Sequence, residues 1–363
     1  MSQPLSGVKV VDFSTLLPGP LCTLLLAEAG AEVLKIEKPG SGDDMRGYEP
    51  KVGPDSVNFG LLNRGKRSVA LDLKSAQGRD AAFALAAEAD VLVEQFRPGV
   101  MERLGLGYDV IQRANPRLVY CSITGYGQSG PKAQTAAHDL NYLAQSGMLS
   151  LSTGADGAPV LPPALIADIA GGAYPAMMNI LLALRQRDAT GHGSLLDISM
   201  ADNLFPFMYW GLGSGWSGNG WPRPGAELVT GGTARYRIYR TQDGKYLAAA
   251  PLEDKFWRNF AEVLGDPELA QCDDRATETV QRVSSLIAAR TAAEWVERFA
   301  RVDACTVEVV SLEQASADPH FVQRGLFDRS VRLAGGTEIA ALPVPIASEF
   351  RASTPCADAP PLA

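Results

Sequence analysis

A histidine just beyond the end of a strand is the side chain here best suited to moving protons. The 363-residue sequence has three histidines, His138, His192 and His320, and no two have metal-ligand spacing. His192 sits in the turn Gly191-His192-Gly193 and His320 follows Asp318-Pro319, both ordinary surface settings. His138 comes after a strand and the loop Gly125-Tyr126-Gly127, where open α/β sheets place their ligands. A histidine near a helix N-terminus can have its pKa lowered and act as a neutral base.

Two cationic clusters are the next candidates. Asn63-Arg64-Gly65-Lys66-Arg67-Ser68 precedes a strand, and Gln95-Phe96-Arg97-Pro98-Gly99, with Arg103, follows another. Both lie at strand ends, so together they could form one pocket for a phosphorylated ligand, arginine matching phosphate with its planar fork of donors. Either cluster alone reads equally as a solvated charged turn. A dinucleotide cofactor fits poorly, even with Glu37 ending the second strand. The turn that should cradle a pyrophosphate, Leu17-Pro18-Gly19-Pro20, has one glycine and two prolines without N–H groups.

These residues need a scaffold, and the first half of the chain supplies strands alternating with helices. Val8 to Phe13, Glu32 to Glu37, Val69 to Leu73, Val91 to Glu94 and Leu118 to Thr124 read as strands, with helices at Leu21 to Ala29 and Ser75 to Ala89 between them. The expectation is an α/β fold with an open, Rossmann-like parallel sheet. A long helix from about Ile166 to Arg187 follows, with Gly171-Gly172 and Pro175 allowing close packing and a bend, then a strand at Ser194 to Ser199. Between Gly211 and Gly232 the composition turns to Gly, Trp, Ser and Pro, which reads as a linker. Beyond it, Tyr236 to Arg240, Asp243-Gly244 and Lys245 to Ala250 form a hairpin, Asp254 to Leu264 and Ala292 to Arg301 helices, and Thr306 to Val310 a strand: a smaller α+β domain.

Composition bounds the partners. With 33 Lys+Arg against 41 Asp+Glu the net charge is −8, which argues against holding nucleic acid or an anionic membrane by the overall field. No apolar run reaches the ~18 residues of a membrane span, Asn179 interrupting the best candidate, Ala176 to Leu184. The N-terminus has no secretory pattern, and Pro360-Pro361-Leu362-Ala363 is no peroxisomal address. Five scattered cysteines fit reduced thiols and a cytoplasmic protein.

The run Gly7-Val8-Lys9-Val10-Val11-Asp12-Phe13 through Gly30-Ala31-Glu32-Val33-Leu34-Lys35-Ile36-Glu37, then Gly40-Ser41-Gly42-Asp43 and Asn63 to Lys74, resembles family III (CaiB/BaiF-like) coenzyme A transferases. Within that family, His138-Asp139-Leu140-Asn141-Tyr142 resembles the signature of the α-methylacyl-CoA racemase branch. The resemblance implies an interlocked homodimer, with a large CoA-binding domain from residues 1–200 and 325–363, a linker at 201–232 and a small domain at 233–324. It implies that His138 and Asp168 are the two catalytic bases and that Glu253 is the acid paired with His138, facing it across the dimer or within one chain. The implied CoA contacts are Lys38, Leu71, Asp72, Leu73, Lys74, Gln95, Phe96, Arg97, Arg103, Ala137, Asp139, Leu140, Asn141 and Tyr142. Lys38 replaces a frequent Arg and Ala137 a usual Gly. Coenzyme A enters as part of an acyl-CoA substrate, with no separate cofactor and no metal.

A racemase removes the proton α to a thioester carbonyl from one face and returns one to the other, so it needs two bases and a stabilised enolate. Backbone N–H groups near His138 and Asp139 are the candidate enolate donors. Met148, Met177, Met178, Met200 and Met208 could offer the acyl chain an adaptable apolar surface, or simply be helix core. The alternative within the family is a CoA transferase in which Asp168 forms an aspartyl-CoA thioester. Such enzymes of the formyl-CoA type carry a glycine run where this chain has only Gly231-Gly232.

Overall fold

The computed structural model describes residues 3–154 and 156–362. The chain forms two compact units, one from residues 1–146, 162–207 and 319–363, the other from 147–161 and 208–318.

The first unit is built on six parallel strands: β1 (Lys9–Asp12), β2 (Glu32–Glu37), β3 (Arg67–Ala70), β4 (Val91–Glu94), β5 (Val119–Thr124) and β6 (Ser194–Ser199). Their order across the sheet is β3-β2-β1-β4-β5-β6, every pairing parallel. The chain steps outward one way from β1 and the other way from β4. Loops leaving these strands therefore diverge, and a crevice opens at their carboxyl ends. β4 and β5 are buried along their whole length, which is why they read as continuous apolar runs rather than alternating ones.

Helix α1 (Pro18–Glu28) begins inside the expected Leu17–Pro20 turn. Proline suits a first helical turn because its missing N–H would have no partner there. Then come α2 (Val57–Asn63), α3 (Ala76–Ala87) capped by the Ser75 hydroxyl, α4 (Asp139–Gln145) and α5 (Tyr174–Thr190). Ala167–Ala173, carrying Asp168, is a wider π-helical stretch leading into α5, with the Tyr174 N–H bonded to the Ile169 carbonyl five residues back. A Cβ on Gly171 would stand 2.4 Å from the Met200 carbonyl oxygen, and one on Gly172 3.2 Å from the Pro18 Cβ. The two glycines thus press the Asp168 segment against the end of β6 and the start of α1. The continuous helix Ala167–Thr190 is long and apolar enough to cross a membrane by length and composition. In the fold it packs on β5, β6 and α1 through Ala176, Ile180, Ala183 and Leu184.

The expected linker at 201–232 is largely helical in its first half. Asp202–Met208 forms 3₁₀ turns and α6 covers Tyr209–Trp216, because Leu204, Met208 and Gly211 recur at helical spacing and are buried. The second unit has the antiparallel sheet β9-β8-β7, from β7 (Arg237–Arg240), β8 (Tyr246–Ala249) and β9 (Thr306–Glu308). Helices α7 (Asp254–Leu264), α8 (Thr277–Ala288) and α9 (Ala292–Phe299) pack around Tyr239, Leu247, Trp257, Phe260 and Trp295. Gly147–Leu161 also belongs to this unit, and the chain rejoins the first unit at Pro319. There Ser330–Arg332 (β10), Glu338–Ala340 (β11) and Cys356–Asp358 (β12) form a small separate sheet.

Candidate active site

The first cationic cluster turns inward. Arg64 is 2% and Lys66 5% exposed. Lys66 Nζ donates to the Pro20 carbonyl (2.9 Å), Thr23 Oγ1 (2.7 Å) and Asn63 Oδ1 (2.8 Å) and lies 3.3 Å from Asp12 Oδ2. Arg64 Nε donates to Glu28 Oε1 at 2.7 Å. These two cations hold the opposite ends of α1, and only Arg67 of the cluster faces solvent. The expectation that Arg64 and Lys66 help form a phosphate pocket is corrected: burial commits their donors to protein acceptors.

The same buried network shapes the segment between β1 and α1. Lys35 Nζ pairs with Asp43 at 2.9 Å and donates to the Ser14 carbonyl at 2.6 Å. Asp43 Oδ1 accepts the Leu16 N–H at 3.1 Å, and Leu16 adopts a left-handed φ of 62°. Such strain persists only where neighbours impose it. Glu37 is taken as well, accepting from Arg46 Nε (2.8 Å), Arg46 NH2 (2.7 Å) and the Ser68 hydroxyl.

Beyond Leu16, at the carboxyl ends of β4 and β5, lies a cavity of about 390 Å³. Arg97, His138, Asn141, Tyr142 and Asp168 line it together with Gln95. Several of these are held by local devices. Gln95 Oε1 accepts the Gly19 N–H at 2.9 Å, tying the β4 loop to the first turn of α1. Buried Glu94 accepts the Phe96 N–H at 2.8 Å, and burial pushes its carboxyl up to about 7. The Tyr142 hydroxyl donates to the Ala137 carbonyl at 2.8 Å, which fixes the backbone just before His138. Gly125 is required there, since a Cβ would stand 2.5 Å from that hydroxyl. Burial and nearby Asp168 push the Tyr142 phenol up to about 12.

His138 immediately precedes α4, its side chain exposed, and its N–H is bonded to Asn141 Oδ1 at 3.0 Å. Asp168 is half-buried on the opposing π-helical segment. Burial, and then the carboxylate of Asp139, push its carboxyl up to about 7. One cavity therefore holds an imidazole and a carboxyl group raised to about 7, the kinds of side chain that general acid–base catalysis uses.

The expected CoA contacts separate into three groups. Gln95, Phe96, Arg97, Ala137, Asn141 and Tyr142 line the cavity of the two bases. Lys38, Leu71, Asp72, Leu73 and Lys74 line a second cavity of about 340 Å³, and Phe96 is a wall of both. Arg103 and Leu140 are exposed and Asp139 is turned inward, and none of the three lines either cavity. For Asp139 the reason is plain: its Oδ1 accepts the Asp168 N–H at 2.9 Å, which takes its side chain away from any ligand. Lys38 is paired with Asp44. Glu253 lies in the second unit, exposed at the start of α7.

Met200 alone of the five methionines lines the base-bearing cavity. Met177 and Met178 instead line a separate apolar groove of about 740 Å³ with Leu25, Tyr174, Leu181 and Phe350. Leu16 and Thr124 also line the base-bearing cavity and went unnoticed in the sequence. Thr124 had a signal, as the last residue of a strand whose following loop was already singled out. Leu16 had none, since its place depends on Asp43, distant in sequence.

The model of CoA-transferase family III matches residues 5–362. Human alpha-methylacyl-CoA racemase is 36% identical over 329 residues, covering 89% of this chain and 82% of the human protein. Acetyl-CoA:oxalate CoA-transferase of Acetobacter aceti is 32% identical over 354 residues, covering 94% of this chain and 89% of that enzyme. A crystal structure of a CAIB/BAIF family protein from Brucella suis superposes with a TM-score of 0.84 at 30% identity, covering 100% of this chain and 97% of that one. The strand order, the matched length and these relatives lead to one assignment: the chain belongs to CoA-transferase family III.

Proposed function

We propose that the protein inverts the α-carbon of 2-methyl-branched acyl-CoA thioesters, using His138 and Asp168 as bases on opposite faces of an enolate. One observation carries this reading: the two groups open onto one cavity, and the Asp168 carboxyl is pushed up to about 7 by burial and Asp139. At neutral pH both of its protonation states are populated, as a group that alternately takes and returns a proton requires. Neutral His138 removes the α-proton of one epimer, the carbonyl oxygen becomes an enolate, and protonated Asp168 delivers a proton to the opposite face. The reverse reaction exchanges the roles.

Because the His138 N–H is bonded to Asn141, the enolate oxygen falls to the N–H groups of Asp139 and Leu140, which begin α4 and have no partner within it. The thioester arm passes Phe96, the wall shared by the two cavities, so that Leu71 and Leu73 flank the adenine end while Arg97 and the lysines 38 and 74 meet phosphate. Coenzyme A is part of the substrate, and no further cofactor takes part. In this reading the protein is a cytoplasmic homodimer and Glu253 pairs with His138.

A transferase reading has its own support in the 32%-identical oxalate CoA-transferase. It makes Asp168 a nucleophile, which must be anionic, and a carboxyl pushed up to about 7 is only partly so. Incubating the protein with one epimer of a 2-methylacyl-CoA in D₂O, then adding a free carboxylic acid, separates the two. Deuterium entry at the α-carbon with loss of configuration is the expected result. Transfer of CoA to the added acid, without exchange, overturns the racemase reading.

A further inference from the structure

Asp139 joins the two bases. It follows His138 directly in the chain, and its carboxylate accepts the Asp168 N–H at 2.9 Å together with N–H groups of Ile166 and Ala167. It is 4% exposed, and the influences on it are burial and those backbone donors, with no cation among them. A serine, threonine or asparagine could accept hydrogen bonds from a helix start equally well. What a carboxylate adds is a negative charge beside Asp168, even though burial raises the Asp139 carboxyl above its ordinary range.

We propose that Asp139 is a positioning residue for Asp168: it fixes the start of the Asp168 helix relative to His138, and its charge opposes ionisation of the Asp168 carboxyl. The proposal deepens the two-base reading and rests on it for its catalytic consequence, whereas the coupling of the two carboxyl groups is a property of the free protein.

Other groups around Asp168 do not supply that charge. From α4 and its cap come Tyr142 and His138, from the loop after β5 Tyr126, and from the loop after β4 Arg97. Of the strands and helix packed on the Asp168 segment, β6 carries Asp197, whose carboxylate accepts the Gln128 N–H, β5 the buried Cys121, and α1 the buried Cys22. Of these surroundings, burial and Asp139 are what act on Asp168.

The test replaces the charge and keeps the cap. Asp139→Asn retains an acceptor oxygen, and Asp139→Ser is a second neutral cap should the amide disturb folding. In the full-length protein with ¹³C-carboxyl aspartate, the Asp168 resonance is assigned by its loss in Asp168→Asn and followed against pH. In both Asp139 variants its titration should move down by about one pH unit. The limb of the pH–rate profile for α-hydrogen exchange that belongs to Asp168 should move with it, while KM for the acyl-CoA stays within about twofold. An Asp168 titration unchanged in both variants overturns the proposal. A shifted titration in a protein without any α-hydrogen exchange upholds the coupling and sinks the racemase reading alone.

Discussion

Asp12 and Asp168 are two buried or half-buried aspartates of the same unit, and their surroundings drive them in opposite directions. Burial raises the pKa of both. At Asp12, fully buried at the end of β1, that effect is outweighed by Lys35 and Lys66 and by hydrogen bonds from Ser14 and Thr23, leaving the carboxyl at about 2. Asp168 has no cation to offset burial and has Asp139 beside it, so it rises to about 7. The lesson is that burial alone decides little about a carboxyl's charge, and the partner decides the rest. A permanent anion at Asp12 organises α1 and the cavity wall; a carboxyl that changes state at Asp168 can do chemistry.

The largest expected effect removes the second member of this comparison. Asp168→Asn should lower α-hydrogen exchange about 10³-fold without lowering the thermal midpoint, as steady-state kinetics and a melt on one preparation would reveal. Lys66→Met should do the reverse. It leaves the buried Asp12 carboxylate with Lys35 as its one remaining cation and costs about 3 kcal/mol in urea unfolding, while the fraction that stays folded keeps its kcat. Retained stability in that variant would mean the network under α1 is idle.

The two aspartates should also give opposite pH signatures in stability. For Asp12 the folded pKa of about 2 lies below the reference value of 3.8, so its stabilising contribution is present above about pH 4 and fades as pH falls toward 2. For Asp168 the folded pKa of about 7 lies above 3.8, so stability is lost as pH rises between those values. Asp168→Asn should therefore be more stable than wild type at pH 8, by roughly 2 kcal/mol after solvent screening, and indistinguishable from it at pH 4. Denaturant titrations at the two pH values read this directly.

Much of this was legible in the residues. Glu32 to Glu37, Val91 to Glu94 and Ser194 to Ser199 have the bounds read from their β-branched and apolar residues, most plainly Val91 to Glu94, which is buried along its whole length. α8 went unread, since Thr279, Val283 and Ile287 make its buried stripe among polar residues and one of the three is a threonine. The pairing of His138 and Asp168 in one cavity rested on resemblance, because no local pattern relates a residue after β5 to one on a helix roughly a helical hairpin away. Asp139 enters as a ligand contact through the resemblance alone, whereas the direction of its side chain depends on the Asp168 segment folding back over α4.

The cations offer the same comparison in milder form, and the smallest prediction. Sequence places Arg67 and Arg97 each in a basic turn beside a strand, the first before its strand and the second after. In the fold Arg97 lines the base-bearing cavity, while the turn of Arg67 has spent its other two cations on α1 and leaves Arg67 in solvent. A charge-assisted bond to phosphate is worth about 1.5–3 kcal/mol, and an exposed site delivers the lower end, so Arg97→Ala should raise KM for an acyl-CoA about tenfold with kcat unchanged. Arg67→Ala should change KM less than twofold. Because screening acts on the same contact, KM of the wild type should climb between 0.05 and 0.3 M salt, roughly ranges over which the Debye length shrinks below ~10 Å, and the climb should flatten in Arg97→Ala alone. Equal losses from the two variants would mean that the Arg67 turn reaches the ligand and that its burial of Arg64 and Lys66 does not exclude the third cation from binding.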